Sequence, residues 1–503
     1  MIRIYMLSVL VLLFSSCLKD KTNTDFLPHE VITVEGIESS YTKVSEIDRI
    51  ILDPQVTSTD PNAEFEFMWG IYNSNIAGLD TLSKSKNLDY LVRKPANSWK
   101  LLFRVANKNT GYTKYVTSEL SVITQFTRGW YVAKGDAGKT DVDLFFTPST
   151  IVPESKMENV FNTVNGRSLD GNPLIMNFYN NYSVPLDGKR VLIRGLFVVS
   201  DKDATVVDIN TLKEVRNFNQ LFHSAPTKKL PGFVGLGMSA YYFLNDGGLH
   251  SVYSNGEFGV KKIRDNLNTP YRLSNYFLTS WVGGNPILYD EISSSFVSAD
   301  GSGSYLTTIQ DAAGTSMPAN NNNKKLLFMG LKTFYSPFSG FAVLQDKTNP
   351  NLKIVSKITE TAVGGRASTI RLENDTLKTT DKIFNATQYA LLDGDENMIY
   401  FCTGNEIWSR NLSNGFEQLQ YRIPAGEEVT FMRHRKYTRE APYNFNFIMV
   451  GTKVGGNYKV RMFTKTLGNL SSEPKVVLEG KGAVGDVIYI SPSVTSTTYN
   501  NTY

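Results

Sequence analysis

The sequence predicts an all-β protein: an immunoglobulin-like β-sandwich followed by a seven-bladed β-propeller. Three observations predict it. Short apolar runs alternate with Gly, Asp and Asn turns along almost the whole chain. Amphipathic helical stretches are nearly absent after residue 126. A strand–turn–strand theme recurs at intervals of about 45 to 60 residues, the scale of propeller blades.

The sandwich is expected over residues 28–125. Val31-Ile32-Thr33-Val34 begins it, and Asp48-Arg49-Ile50-Ile51-Leu52 follows, stopped by Asp53-Pro54. Phe65-Glu66-Phe67-Met68-Trp69 alternates apolar and polar positions, as a half-buried strand must when successive side chains point to opposite faces. Trp99 to Val105 alternates in the same way, Asn107 to Gly111 supplies a turn, and Val116 to Ile123 closes the module. Strands this short and this evenly spaced suit an immunoglobulin-like sandwich.

The propeller is expected over residues 127–503. Gly129 to Ala133 returns as Val142 to Phe145, and Gly195 to Val199 returns as Thr205 to Ile209. A third unit joins Phe233 to Gly237, Ala240 to Leu244 and His250 to Tyr253; a fourth runs from Asn275 to Trp281 with Pro286 to Asp290. Leu326 to Met329 with Gly340 to Leu344 forms a fifth, and Ala390 to Leu392, Met398 to Cys402 and Glu406 to Arg410 a sixth. Phe445 to Val450 with Lys459 to Phe463 makes the last complete unit, and Val487 to Ile490 remains to complete the first blade and close the ring. A single blade cannot cover both faces of its sheet, so blades stack radially and each protects its neighbours. Two packed sandwiches or a β-helix are the structural alternatives.

The N-terminus reads as an export signal. Arg3 precedes the apolar run Met6 to Phe14, which is too short to span a bilayer, and Ser15-Ser16 lead into Cys17. Small residues before a cysteine resemble a bacterial lipobox, although Phe14 stands where Leu is usual. The expectation is a signal over 1–17, acylation of Cys17, and a polar tether over 18–27. Net charge is +4, with charged residues at 20% and hydrophobic residues at 41%, which favours no polyanionic partner and excludes a disordered chain. Of the 2 cysteines only Cys402 remains after lipidation, so no intramolecular disulfide is expected; Cys402 follows Tyr400-Phe401 in an apolar strand and reads as buried and inert.

Trp69, then Leu88-x-Tyr90-x-Val92, then Trp99-x-Leu101-x-Phe103-x-Val105 and an Asn109-Thr110-Gly111 turn resemble a PKD domain. With the lipobox and the long β-rich remainder, the whole chain resembles the PKD-like family lipoproteins of Bacteroidota. That resemblance implies an outer-membrane, lipid-anchored protein facing the cell exterior, with Asp20 as the one acidic residue close behind the cysteine. It implies as partners a SusC-type TonB-dependent transporter and a SusD-type lipoprotein, with an oligopeptide or glycan as cargo and no nucleic acid. The expected role is non-catalytic: an accessory component of nutrient uptake. A propeller enzyme acting on polysaccharide, glycosidase or lyase, and a purely structural scaffold are the alternatives.

The residues that carry chemistry are sparse. The 4 histidines, His29, His223, His250 and His434, have no metal-ligand spacing, and His250 beside its strand reads as a hydrogen-bonded structural residue. GxSxG and phosphate-cradling loops are absent, so no nucleophile, cofactor or metal is expected. Two acidic groups, Asp136/Asp141/Asp143 and Asp393/Asp395/Glu396, read as turn chemistry. Arg433-His434-Arg435-Lys436 with Arg439 reads as a solvated basic hairpin. Trp281, Tyr335 and Phe338, aromatics near predicted loop edges, are the candidate ligand contacts, because flat rings there stack on sugars or grip peptide side chains.

Overall fold

A computed structural model describes residues 29–73, 76–186, 189–237, 240–252, 256–280, 284–333, 339–361, 369–391 and 394–499. Cys17 and the expected signal and tether lie outside them. The chain divides into two compact units at Val122/Ile123.

The first unit is a β-sandwich. One sheet has the order Ser40–Val44, Thr113–Ile123, Asn97–Asn107, Phe65–Asn73, Ile76–Ser83. Two ribbons, Ile32–Glu35 with Gln55–Ser58 and Arg49–Leu52 with Leu88–Leu91, supply the opposing layer. The alternation read from the sequence fixes which side chains face inward: Trp99, Leu101, Phe103 and Val105 are buried, while Lys100, Leu102 and Arg104 between them are partly exposed. These meet Ile32, Ile50, Leu88 and the fully buried Trp69 in one core. The Trp69 indole lies 4.3 Å from the Phe103 ring and donates its N–H to the Lys86 carbonyl at 3.0 Å, so the polar tip of a large apolar group is satisfied.

The second unit is a propeller of seven sheets. Blade one joins the C-terminal strand Ala483–Ile490 to Gly129–Asp136, Lys139–Phe146 and Ser155–Met157. The inner strands of blades two to seven are Pro173–Leu186, Pro231–Leu236, Leu278–Ser280, Lys324–Thr333, Gln388–Ala390 and Glu428–Tyr437. Each is followed by its own antiparallel neighbours in chain order. Blade five gains Gln310–Asp311, parallel to its outer strand Thr369–Thr376.

The apolar cores lie between blades. One joins blades seven, one and two, another blades two to four, and others pair four with five, five with six and six with seven. Removing any blade would expose two such faces. Polar contacts bridge every junction. Met176 N–H donates to Asp486 Oδ2 at 2.8 Å, and Asn177 and Thr279 donate to the carbonyls of Val234 and Leu236. Tyr289 donates to the Lys324 carbonyl at 2.7 Å, Lys332 to the Asp395 carbonyl at 2.8 Å, and Asn446 to Asp395 Oδ1 at 3.2 Å. Arg435 donates to Asp486 Oδ1 at 3.0 Å and completes the circle.

Closure rests on the pairing of Ala483–Ile490 with Gly129–Asp136, as expected for Val487 to Ile490. Its register shifts between Ala133 and Lys134, leaving Gly485 as an extra residue. A Cβ there would come within 2.2 Å of the Pro173 carbonyl oxygen, so only glycine lets blades one and two approach this closely.

Candidate functional site

The inner strands begin at one end of the ring, and there the axis widens into a cavity of about 590 Å³. Five of the seven blades line it: blade one through Gly135–Gly138 and Ala483–Gly485, blade two through Asn172–Leu174, blade four through Tyr276, blade six through Thr387–Tyr389, and blade seven through Thr430–Arg433 and Lys453. The opposite end is crossed by the segment after the closing strand. Ser496 bonds with Asn180 of blade two and lies 3.3 Å from the Tyr241 hydroxyl of blade three. Tyr499 lies under the Arg435 guanidinium of blade seven and donates to the Tyr489 carbonyl at 2.8 Å. Arg194 donates to the carbonyls of Ser491 at 2.6 Å and Val494 at 3.3 Å; burial lowers its pKa to about 10. The cavity is thus a cup whose far side carries the C-terminal segment.

Two wall types line the cup. Blades four and six contribute rings: Tyr276 meets Phe328 edge-on at 5.5 Å, and Tyr389 stacks on the same ring at 5.2 Å. Burial pushes both phenols up, the wrong direction for a general base at neutral pH. Gln388, which precedes Tyr389 in the inner strand of blade six, also lines the cup and makes no side-chain hydrogen bond among the described residues. Blade seven contributes charge. Arg433 donates Nε to Asp486 at 3.3 Å, and Lys453 stands exposed at the rim.

The basic run therefore differs from its expected place. Arg433, His434 and Arg435 are buried in the inner strand of blade seven, not displayed on a solvated hairpin. The reason is Asp486 on the closing strand, which accepts from both arginines and from the N–H groups of Met176 and Val487, so the buried cations are compensated. Its separation of 51 residues from Arg435 and 53 from Arg433 hid the pairing. His434 points the other way: Nε2 lies 2.8 Å from Asn446 Oδ1 and 3.2 Å from Asp395 Oδ2, and burial lowers its pKa. Burial opposes ionisation of Asp395, but bonds from His434 and Lys465 outweigh it and hold the carboxyl well below its usual range.

Other candidates fall elsewhere. Trp281, Tyr335 and Phe338 lie outside the described residues, as does Asp393. Asp141 and Asp143 are buried within Lys139–Phe146 rather than at a turn; Asp143 accepts from the Tyr458 hydroxyl at 2.7 Å and the Asn159 N–H at 2.9 Å. His250 is buried with Nδ1 2.9 Å from the Gly259 carbonyl, and the Cys402 thiol is fully buried, its pKa raised to about 11. Among the described residues lining the cup, Asp136 is the one carboxylate, where a glycosidase needs two. No group of three His, Cys, Asp or Glu among the described residues could hold a metal ion. No helix among them is long and apolar enough to cross a membrane.

No curated protein matches the sequence. Among solved structures, the chain is similar to a quinonprotein alcohol dehydrogenase-like protein of Bacteroides thetaiotaomicron, at 12% identity and a TM-score of 0.37, over 92% of this chain and 100% of that one. It is similar to the extracellular domain of a one-component system of the same organism, at 11% identity and a TM-score of 0.34, over 92% and 71% of the two chains. The Dos1 propeller matches at 11% identity and a TM-score of 0.39, over 72% and 88%. The PKD-like family model matches residues 17–173, spanning the sandwich and the first strands of the propeller.

Proposed function

We propose that this chain is a non-catalytic, lipid-anchored protein of the outer cell surface that serves a SusC/SusD-type uptake system and holds cargo, an oligopeptide or a glycan, in the axial cup. The observation that carries this reading is the cup itself: about 590 Å³, open where the inner strands begin, and lined by tyrosines of blades four and six and cations of blade seven. A concave site built on a rigid ring of secondary structure is the usual setting of a small-ligand site. The match of the PKD-like family model and the lipobox around Cys17 support the exported, anchored setting. In this reading the sandwich serves as a spacer or transporter dock.

The test is affinity purification of the lipidated protein from detergent-solubilised outer membrane, with partners identified by mass spectrometry. Co-purification of a SusC/SusD pair is expected, with loss of membrane retention in Cys17→Ala. A wild-type protein that comes down alone would overturn the role in uptake.

A further inference from the structure

Resting on the cup as the cargo site, we infer that the cargo is a neutral glycan, which enters the cup by a free end and is held by main-chain groups and uncharged side chains. Three observations carry this. The first is a repeated irregularity of the inner strands. Five of the seven carry one extra residue near the cup end: Leu174, Gly232, Leu327, Thr430 and Gly485. Each such bulge disrupts the ladder and leaves its extra residue unpaired, and three of these residues, Leu174, Thr430 and Gly485, line the cavity. Main-chain groups that a regular strand would commit to its neighbour are thereby released at the wall of the cup.

The second is the charge balance. Arg433 is buried and paired with Asp486, while Lys453 and Asp136 stand exposed on the neighbouring blades seven and one, one of each sign. The described lining therefore has no charge in excess for a ligand to neutralise. A cup crossed at its far side by the C-terminal segment takes a chain end-first, and both ends of a peptide are charged. Burying either end without a counter-ion is costly. A glycan ends in hydroxyls, each a donor and an acceptor that main-chain groups satisfy. The third is the uncharged lining. Gln388 makes no side-chain hydrogen bond among the described residues and offers both donor and acceptor, and Thr387 beside it is exposed. Tyr276 and Tyr389 add ring surface that suits the C–H face of a sugar.

A ligand array probed with the full chain tests this. It carries neutral and uronic-acid oligosaccharides, each tethered by its reducing end, beside tetrapeptides with a free N- or C-terminus. Neutral glycans are expected to bind, with less than about two-fold change between low and high salt, because no ion pair is there to be screened. Binding should fall at least about ten-fold in Gln388→Trp and Thr387→Trp, which fill the cup from a half-buried and an exposed position and whose melting should match wild type. It should persist in Asp136→Ala and Lys453→Ala. A preference for uronic acids or peptides that is lost on filling the cup would overturn the neutral glycan and keep the cup. Neutral-glycan binding that survives both tryptophans would overturn the inference and the cup together. An array with no bound member would overturn the glycan inference, leaving the cup to be judged on cargo recovered from the membrane.

Discussion

Asp486→Ala should destabilise the propeller by about 3–5 kcal/mol, the usual cost of removing one partner of a buried ion pair. The geometry supports the upper end of that range. Asp486 is fully buried, and its two oxygens accept from Arg433 at 3.3 Å, from Arg435 at 3.0 and 3.1 Å, and from two backbone N–H groups. The substitution removes the carboxylate shared by two arginines that are each more than nine-tenths buried, at the junction where blade seven meets the closing strand and blade two. Urea unfolding of the full chain, followed by tryptophan fluorescence, reads the loss as a lower midpoint; Trp130 in blade one reports on the propeller and Trp69 on the sandwich. Adding Arg433→Met and Arg435→Met should restore part of the stability, because the cost lies in uncompensated charge rather than in volume. A loss below about 1 kcal/mol, or no rescue by the double methionine change, would refute the view that this carboxylate clasps the ring.

Phe103→Ala, which removes the ring against Trp69, should cost the sandwich about 3–5 kcal/mol and leave the propeller transition in place. Separate melting of the two units by calorimetry checks it. Truncation after Ile490 removes the buried Val494 and Tyr499 and the carbonyls that cap Arg194, and should lower stability by about 3–5 kcal/mol while opening the far end to protease. Acidification should weaken the fold in two stages. His434 and His250 have pKa values lowered by burial, so from about pH 6.5 downwards the unfolded chain takes up protons that the folded chain refuses, costing up to about 1.4 kcal/mol per pH unit for each. The depressed Asp395 stabilises at higher pH, and that contribution is lost as pH falls below about 4. Melting temperatures of wild type and His434→Gln from pH 7.5 to 5 test the first stage; a wild type that gains stability on acidification would contradict it.

The fold was legible because its signals are local. Period-two alternation in Trp99 to Val105 names the inward face without reference to anything else, and the hairpin turns mark the middle strands of each blade. Inner strands were harder to see. Pro173–Leu186 begins with proline and carries Asn177, Asn180 and Asn181, because it packs on neighbouring blades and lines the axis as well as filling a core. The cup was not legible at all. Its walls come from Gly135, Tyr276, Gln388, Arg433 and Gly485, residues scattered over most of the propeller's length that no spacing rule connects. The basic run misled for the same reason, since its counter-charge Asp486 arrives only when the chain end returns to the first blade.

The most direct test of the central claim compares wild type with Gln388→Trp, both lipidated and both recovered from solubilised outer membrane, with proteins and small molecules identified by mass spectrometry. The account predicts the same SusC/SusD pair with either form, and bound oligopeptide or glycan with wild type alone. Cargo retained at the same level by Gln388→Trp, or no transporter with either form, would contradict it.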